Sequence, residues 1–216
     1  MPLSSIGKNG LILAGFAIVT TGLIALTFDG TKDKIDAQRA AKKLATLNQV
    51  VPPEYYNNQL FMDCIEISAT ALGQETKSVY RARQDGADTA LAVEFTAPDG
   101  YSGNIDLILG VSSGGEVLGV RVLEHAETPG LGDKIEMGVS DWMLSFNGKT
   151  YSEEDAKQWK VKKDGGQFDQ FTGATITPRA VVNSVARALA YINDNQQQLF
   201  NQPANCQVSA NSEQQG

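Results

Sequence analysis

Hydrophobic and polar positions divide this chain into three regions: an uncharged apolar run, a series of short alternating segments, and a periodic C-terminal segment. No charged residue occurs from Gly10 to Phe28. As a helix rising ~1.5 Å per residue, that run extends about 28 Å, enough to cross a hydrocarbon core. A cleavable signal peptide would have a shorter apolar region, and no convincing Ala-x-Ala site follows before Asp29. The expectation is an uncleaved transmembrane helix over 10–28 after a short N-terminus, 1–9. Ile35, Ala41, Leu44 and Leu47, with Lys and Arg between them, predict a juxtamembrane helix over 29–50, stopped by Pro52-Pro53.

Strand-like patterns follow a turn region around Tyr55–Asn58. Cys64–Ile67 alternates, Val79–Arg83 does so more weakly, and Ala90–Phe95 is strongly apolar. Residues 104–111 and 117–123 flank Ser112-Ser113-Gly114-Gly115, the clearest hairpin signal in the chain. Trp159–Lys163 reads as a late strand. After Pro178, apolar residues recur at Ala180, Val181, Val185, Ala188, Leu189 and Ile192, the period of a helix packed on one face. The fold class expected is α+β: one N-terminal membrane helix, then a single extramembrane domain over 51–193 with an antiparallel sheet and packed helices. The remainder, 194–216, is rich in Asn and Gln, and reads as a polar tail, mobile beyond Cys206.

Two loops carry the candidate chemistry. Asp169-Gln170-Phe171-Thr172-Gly173-Ala174-Thr175-Ile176-Thr177-Pro178 sets three threonines at or just before a predicted helix start. Unpaired N–H groups and the helix dipole favour a phosphate or carboxylate there. The plainer reading makes Thr175 or Thr177 an ordinary N-cap, with Gly173 making the turn. The Gly-x-x-x-x-Gly-Lys-Ser/Thr pattern of nucleotide hydrolases is absent. The second loop, Glu124–Asp133, packs Thr128-Pro129-Gly130-Leu131-Gly132 into five residues; it would let backbone approach a flat ligand, or serve as a structural turn.

Charge and composition narrow the function classes. A net charge of -7 and a pI near 4.7 argue against a nucleic-acid partner. Two cysteines and one histidine make a zinc or iron–sulfur centre built by this chain alone implausible. Cys64 and Cys206 read either as a disulfide tying the tail to the first strand, if the domain lies outside the cytoplasm, or as two thiols. No nucleophile–base pair or paired-carboxylate site stands out, which argues against hydrolysis. No Gly-x-Gly-x-x-Gly fingerprint suggests nicotinamide dinucleotide binding. The span contains no ionisable residue, so it does not read as an ion path. Only Lys8 precedes the span, whereas Lys32, Lys34, Arg39, Lys42 and Lys43 follow it, so charge bias alone would place the body in the cytoplasm.

Several motifs carry a resemblance. Asp169 with Thr172-Gly173-Ala174-Thr175 resembles the flavin-attachment motif of bacterial FMN-binding domains. His125-Ala126-Glu127-Thr128-Pro129-Gly130-Leu131-Gly132-Asp133-Lys134-Ile135 looks like that family's second signature. The blocks Ala97–Gly103 and Val161–Gly166 agree as well. Over roughly residues 9–206 the chain is similar to the RnfG/RsxG family of the Rnf/Rsx electron transport complex. The resemblance implies FMN esterified through its phosphate to Thr175 by a separate, FAD-using flavin transferase of the periplasm. It also implies an inner-membrane protein with its C-terminal domain in the periplasm, against the charge count.

On that reading Thr172, Gly173 and Ala174 form the attachment turn. Thr177 and the helix N–H groups bind the phosphate, and Lys163 offsets its charge, with Lys162 and Arg179 as rivals. Asp169 holds the turn or positions the transferase's metal-bound donor. Glu127, Thr128, Gly130, Leu131 and Gly132 meet the isoalloxazine ring. His125 is a positioning or core residue, because a flavin carrying single electrons needs no proton shuttle. The resemblance implies other membrane and peripheral subunits as partners, in a complex coupling ferredoxin and NAD electron exchange to ion movement or reducing a redox-sensing transcription factor. The competing classes are a non-redox membrane-tethered binding or assembly domain, and an enzyme that handles flavin for other proteins.

Overall fold

A computed structural model describes residues 3–206, so the end of the predicted polar tail and Met1-Pro2 lie outside the described residues. The chain divides into two compact units, one through Ala45 and one from Thr46 onward. The first is helical: helix α1 spans Leu3–Val50, so the predicted membrane and juxtamembrane helices share one element. Within it, Gly7–Lys32 is long and apolar enough to cross a membrane, and its side chains are exposed. Leu11, Phe16, Ile18, Ile24 and Phe28 are each more than half exposed, an arrangement suited to lipid rather than to water.

The second unit is an α+β body built on one five-stranded antiparallel sheet in the order β1-β2-β3-β4-β5. The strands are β1 (Cys64–Ile67), β2 (Lys77–Gln84), β3 (Ala87–Ala97), β4 (Ile105–Ser112) and β5 (Val117–Glu124). Each strand after β1 pairs with the one before it, and all five overlap segments that the hydrophobic pattern picks out. Period-two geometry sends Leu91, Val93 and Phe95 of β3, with Leu107, Leu109 and Val111 of β4, to one face. There they pack on helix α2 (Ile176–Asn201) through Val181, Val185, Ala188, Leu189 and Ile192.

Ala90, Ala92 and Ile108 face the other way, onto Leu47, Val50, Val51 and Leu60. The end of α1 comes down directly on the cross-strand pair Gly110 and Gly119. A Cβ on Gly110 would overlap the carbonyl group of Val50, and one on Gly119 would lie 2.9 Å from the Gln49 carbonyl oxygen. The sheet is therefore covered on both faces.

Three expectations need correction. Trp159–Lys163 is not a strand. Val161 makes only an isolated bridge to Phe168, between 3-10 turns at Ala156–Gln158 and Lys162–Asp164. Trp159, Val161 and Phe168 are apolar because they pack with Phe146 under the sheet, not because they alternate across a pleat. Helix α2 begins at Ile176, so Pro178 lies in its first turn rather than at its first residue.

That helix also continues to Asn201 instead of ending near Ile192, taking the first part of the predicted tail into the domain. Leu199 and Phe200 are buried there. Arg81, itself 3% exposed, donates to the carbonyls of Phe200 (3.1 Å) and Gln202, and Arg83 donates to Phe200 O (2.9 Å). Cations on the last carbonyls are what a helix C-terminus favours. Asp63 pairs with both arginines, so these charges are not left unmatched inside the protein. Beyond the helix, Cys206 forms a disulfide with Cys64 of β1, with Cα atoms 5.6 Å apart. Asn205 reinforces this edge, its side-chain oxygen accepting the Glu66 N–H at 2.6 Å.

Candidate functional site

One end of the sheet gathers the turn between β3 and β4, the loop after β5 and the start of α2. Phe171 anchors the last of these. It is buried, packs edge-on against Trp142 at 5.1 Å between ring centroids, and accepts the Ala174 N–H at 3.2 Å. That bond closes a tight turn over Thr172 and Gly173, with Gly173 at φ +82°, a conformation that costs glycine nothing and a side-chain residue strain. Thr172 and Gly173 are exposed and Ala174 is half-buried. The Trp142 indole N–H donates to the Asp169 carbonyl at 2.8 Å, so both flanks of the segment before the turn hang from one tryptophan.

Thr175 occupies the N-cap position of α2, yet its hydroxyl makes no cap bond. Two of the three motif threonines, Thr172 and Thr175, keep hydroxyls with no bonded partner among the described residues. Thr177 differs. It is 1% exposed and donates its hydroxyl to Oε2 of Glu127. This corrects the expectation that Thr177 offers its side chain to a phosphate: at this position only its backbone N–H is uncommitted, together with that of Ile176. No acid lies in the first turn of α2, and Pro178 brings no N–H. An anion on Thr175 would meet the N-terminal end of the dipole without a like charge on the helix itself.

Glu127 is the post on which the site is mounted. It is 5% exposed, and its Oε1 accepts the Ser102 N–H at 2.9 Å while Oε2 takes the Thr177 hydroxyl. One carboxylate thus joins the β3–β4 turn to the α2 start, with both its oxygens engaged inside the protein. Gly132 is required beside it: a Cβ there would lie 2.8 Å from Glu127 Oε2 and 2.9 Å from Thr177 Oγ1. Between them, Leu131 and Gly132 both return N–H bonds to the Thr128 carbonyl, at 3.1 and 3.0 Å.

That fold of the loop thrusts Leu131 outward, 43% exposed, with Cδ2 3.6 Å from where a Gly173 side chain would begin. Thr128, Pro129 and Gly130 are exposed along the same rim. The loop and the turn at Gly173, more than forty residues apart in sequence, therefore meet at Leu131 on one exposed rim.

The basic residues sort themselves by partner. Lys162 holds the Asp169 carboxylate at 2.6 Å, and Arg179 holds Asp164 at 2.5 and 2.8 Å. The Asp164 carboxyl is pushed below its ordinary value, first by the hydrogen bond from Arg179. Lys163 is exposed and makes no ion pair among the described residues. Its backbone N–H donates to Gln170 Oε1 at 3.2 Å, strapping this turn to the motif. Lys134, over the Phe171 ring at 5.9 Å, likewise makes no ion pair among the described residues, and Asp169 points to Lys162 rather than into the Gly173 turn.

Sequence reasoning missed Trp142, Phe171 and Ser102 as supports of the site. An exposed-looking Trp at the start of Asp141–Phe146 was the one available signal, since tryptophan seldom lacks a packing or hydrogen-bonding task.

The fit of these residues to an FMN phosphoester rests on the uncommitted Thr175 hydroxyl, the helix start free of acids, and the exposed rim at Leu131. Two family models match the chain, the RnfG N-terminal region over residues 1–50 and the FMN-binding domain over residues 100–190. The chain is 54% identical over 206 residues to the G subunit of the ion-translocating oxidoreductase complex of Vibrio cholerae, covering 95% of this chain and 99% of that one. The corresponding protein of Shewanella amazonensis is 52% identical over 211 residues, covering 97% and 98%. That of Pseudoalteromonas atlantica is 50% identical over 203 residues, covering 93% and 94%.

Proposed function

The chain belongs to the family of G subunits of the ion-translocating oxidoreductase complex, and from that premise we propose that it is a membrane-anchored flavoprotein relay with FMN esterified to Thr175. The observation that carries the reading is the Thr175 hydroxyl. It stands at the N-cap of α2, uncommitted, two residues after Gly173, which lies against Leu131.

When bound, FMN supplies electron acceptance and donation in single steps. The chain's own residues do the rest. The Ile176 and Thr177 N–H groups and the Lys163 ammonium hold the phosphate. Leu131 would cover one face of a bound ring, and Thr128 with the loop backbone would bond its polar rim. Glu127, Thr177 and Trp142 hold the turn and the loop at a fixed spacing. A covalent tether keeps the cofactor from being lost outside the cytoplasm.

The domain faces the periplasm in this proposal, and a periplasmic flavin transferase installs the cofactor. The Cys64–Cys206 disulfide supports that side, because such bonds persist in oxidising compartments. It outweighs the lysine count after the span, which points inward. The flavin-loaded chain would take electrons from one neighbouring protein of the complex and pass them to another, in an assembly that couples ferredoxin and NAD electron exchange to ion translocation or that reduces a redox-sensing transcription factor.

The test is intact-mass measurement on the denatured full chain after export alongside an active flavin transferase. The expected result is a mass gain of one FMN less one water, fluorescent and absent in Thr175→Ala. An unmodified chain, with a control substrate modified in the same cells, would sink the covalent relay and favour a non-redox assembly domain. A mass gain that survives Thr175→Ala and vanishes in Thr172→Ala would show the bond on the other free hydroxyl.

A further inference from the structure

The loop that carries Leu131 has a histidine at its root, and its two ring nitrogens have different partners. The Glu127 backbone N–H donates to His125 Nδ1 at 3.0 Å, while Nε2 lies 2.6 Å from Glu136 Oε1. The ring is largely buried, at 10% exposure, and Glu136 is half-exposed. An acceptor at Nδ1 must be bare, so the neutral ring carries its proton on Nε2 and donates it to Glu136. His125 thereby closes the segment from residue 125 to residue 136 into a loop. It also fixes the backbone of Glu127, whose carboxylate holds Ser102 and Thr177.

We propose that His125 is a positioning residue of the flavin site, holding the Glu127–Gly132 loop through an unprotonated Nδ1, so that protonating the ring releases that loop. The imidazolium has N–H on both nitrogens. Its Nδ1–H would then face the Glu127 N–H, donor against donor, and that bond is lost while the Glu136 contact becomes an ion pair. Glu136 faces the ring across the loop, Glu124 and Glu127 flank His125 along the chain, and Asp133 and Lys134 lie on the turn that precedes Glu136. The Glu127 carboxylate holds Ser102 and Thr177. The effect passes from His125 to Glu127, and from Glu127 to Thr177 and the turn carrying Thr175. Release of the loop alters the seat of the ring, not the chemistry of the phosphate ester. The inference rests on the proposed flavin site for its consequence, but not for its first step.

His125 is the single histidine of the chain, which makes both steps directly readable. In flavin-free full-length protein labelled uniformly with nitrogen-15, NMR of the neutral ring is expected to show the Nε2–H tautomer. The Glu127 amide resonance is expected to move as the ring becomes protonated. The Nδ1–H tautomer, or a Glu127 amide indifferent to ring protonation, would overturn the proposal.

In the flavin-loaded protein, the visible circular dichroism of the bound flavin should change together with ring protonation. His125→Asn places an acceptor where Nδ1 stands and cannot be protonated, so in that variant the change should be lost. A dichroism change that persists undiminished in His125→Asn would also overturn it. Failure to load flavin at all would refute the proposed function, and the NMR result would still decide the role of His125.

Discussion

Replacing Gly110 with alanine puts the seating of the end of α1 on the sheet to a quantitative test. The new methyl would overlap the carbonyl carbon and oxygen of Val50 and lie 3.1 Å from Val50 Cβ. The obstacle is backbone, so no side-chain rotation relieves it. Strand β4 cannot drop away, because Gly110 is paired on one side with Ala92 of β3 and on the other with Gly119 of β5. The end of α1 must lift instead. Leu47, Val50 and Val51 are each 0% exposed, and full burial of such a side chain contributes about 1.5–3 kcal/mol. Complete detachment would therefore cost upward of ~5 kcal/mol, and a partial shift about 1–3 kcal/mol, the usual penalty for overpacking.

We expect a loss of ~3 kcal/mol or more, which in a body of this size lowers Tm by roughly 6–12 °C. The assay is thermal unfolding of the full chain in detergent, followed by tryptophan fluorescence. Gly119→Ala, whose methyl would meet the Gln49 carbonyl oxygen at 2.9 Å, should cost less. Gly114→Ala, with only Ser112 Oγ at 3.6 Å, should cost almost nothing. A Gly110→Ala protein melting within a degree of the parent, or no more affected than Gly114→Ala, would refute this account of how the helix end is seated.

Three further outcomes are expected. Thr177→Val leaves the buried Glu127 carboxylate without one of its two donors, costing about 1–3 kcal/mol in denaturant unfolding, whereas Thr177→Ser should restore most of it. Reducing the Cys64–Cys206 bond frees a loop of 142 residues in the unfolded chain, so about 2–5 kcal/mol should be lost in unfolding measured with and without reductant. Asp164 has a folded value below the ordinary carboxyl range because of Arg179. Its contribution to stability is thus present above that range and is lost as pH falls through the folded value. An NMR titration of Asp164 in Arg179→Gln should move the midpoint upward, and an unmoved midpoint would remove Arg179 as the cause.

The strands were legible because each buries one or both faces against a layer, and burial at period two leaves its trace in the residues. The hairpin 105–124 was plain for that reason, with its glycine turn between two apolar runs. The turn over Thr172 and Gly173 was legible from residue types, since a tight step before a helix favours glycine at positive φ. What could not be read was partnership. Nothing in the letters Glu, Thr and His says that Glu127 faces Thr177, or that His125 bonds the N–H of Glu127, because those contacts depend on how a loop folds back. The mistaken strand at Trp159–Lys163 has the same origin, since aromatic residues packed in a cluster imitate the composition of a pleat. Helix α2 outran its prediction because its last turn is held by arginines of another strand, a tertiary cause with no local sign.

The order of the sheet has a consequence for how the protein matures. In a meander each strand finds its partner in the strand made just before it, so most of the sheet assembles from near neighbours in sequence. Helix α2 is the exception. It is synthesised last, packs across strands already paired, and brings residues 172–177 with it. The turn at Gly173, and Thr175 after it, would therefore come up against Leu131 only once the sheet has formed. A modifying enzyme that requires both would act as a late inspector of folding, marking completed molecules and passing over those whose sheet has failed.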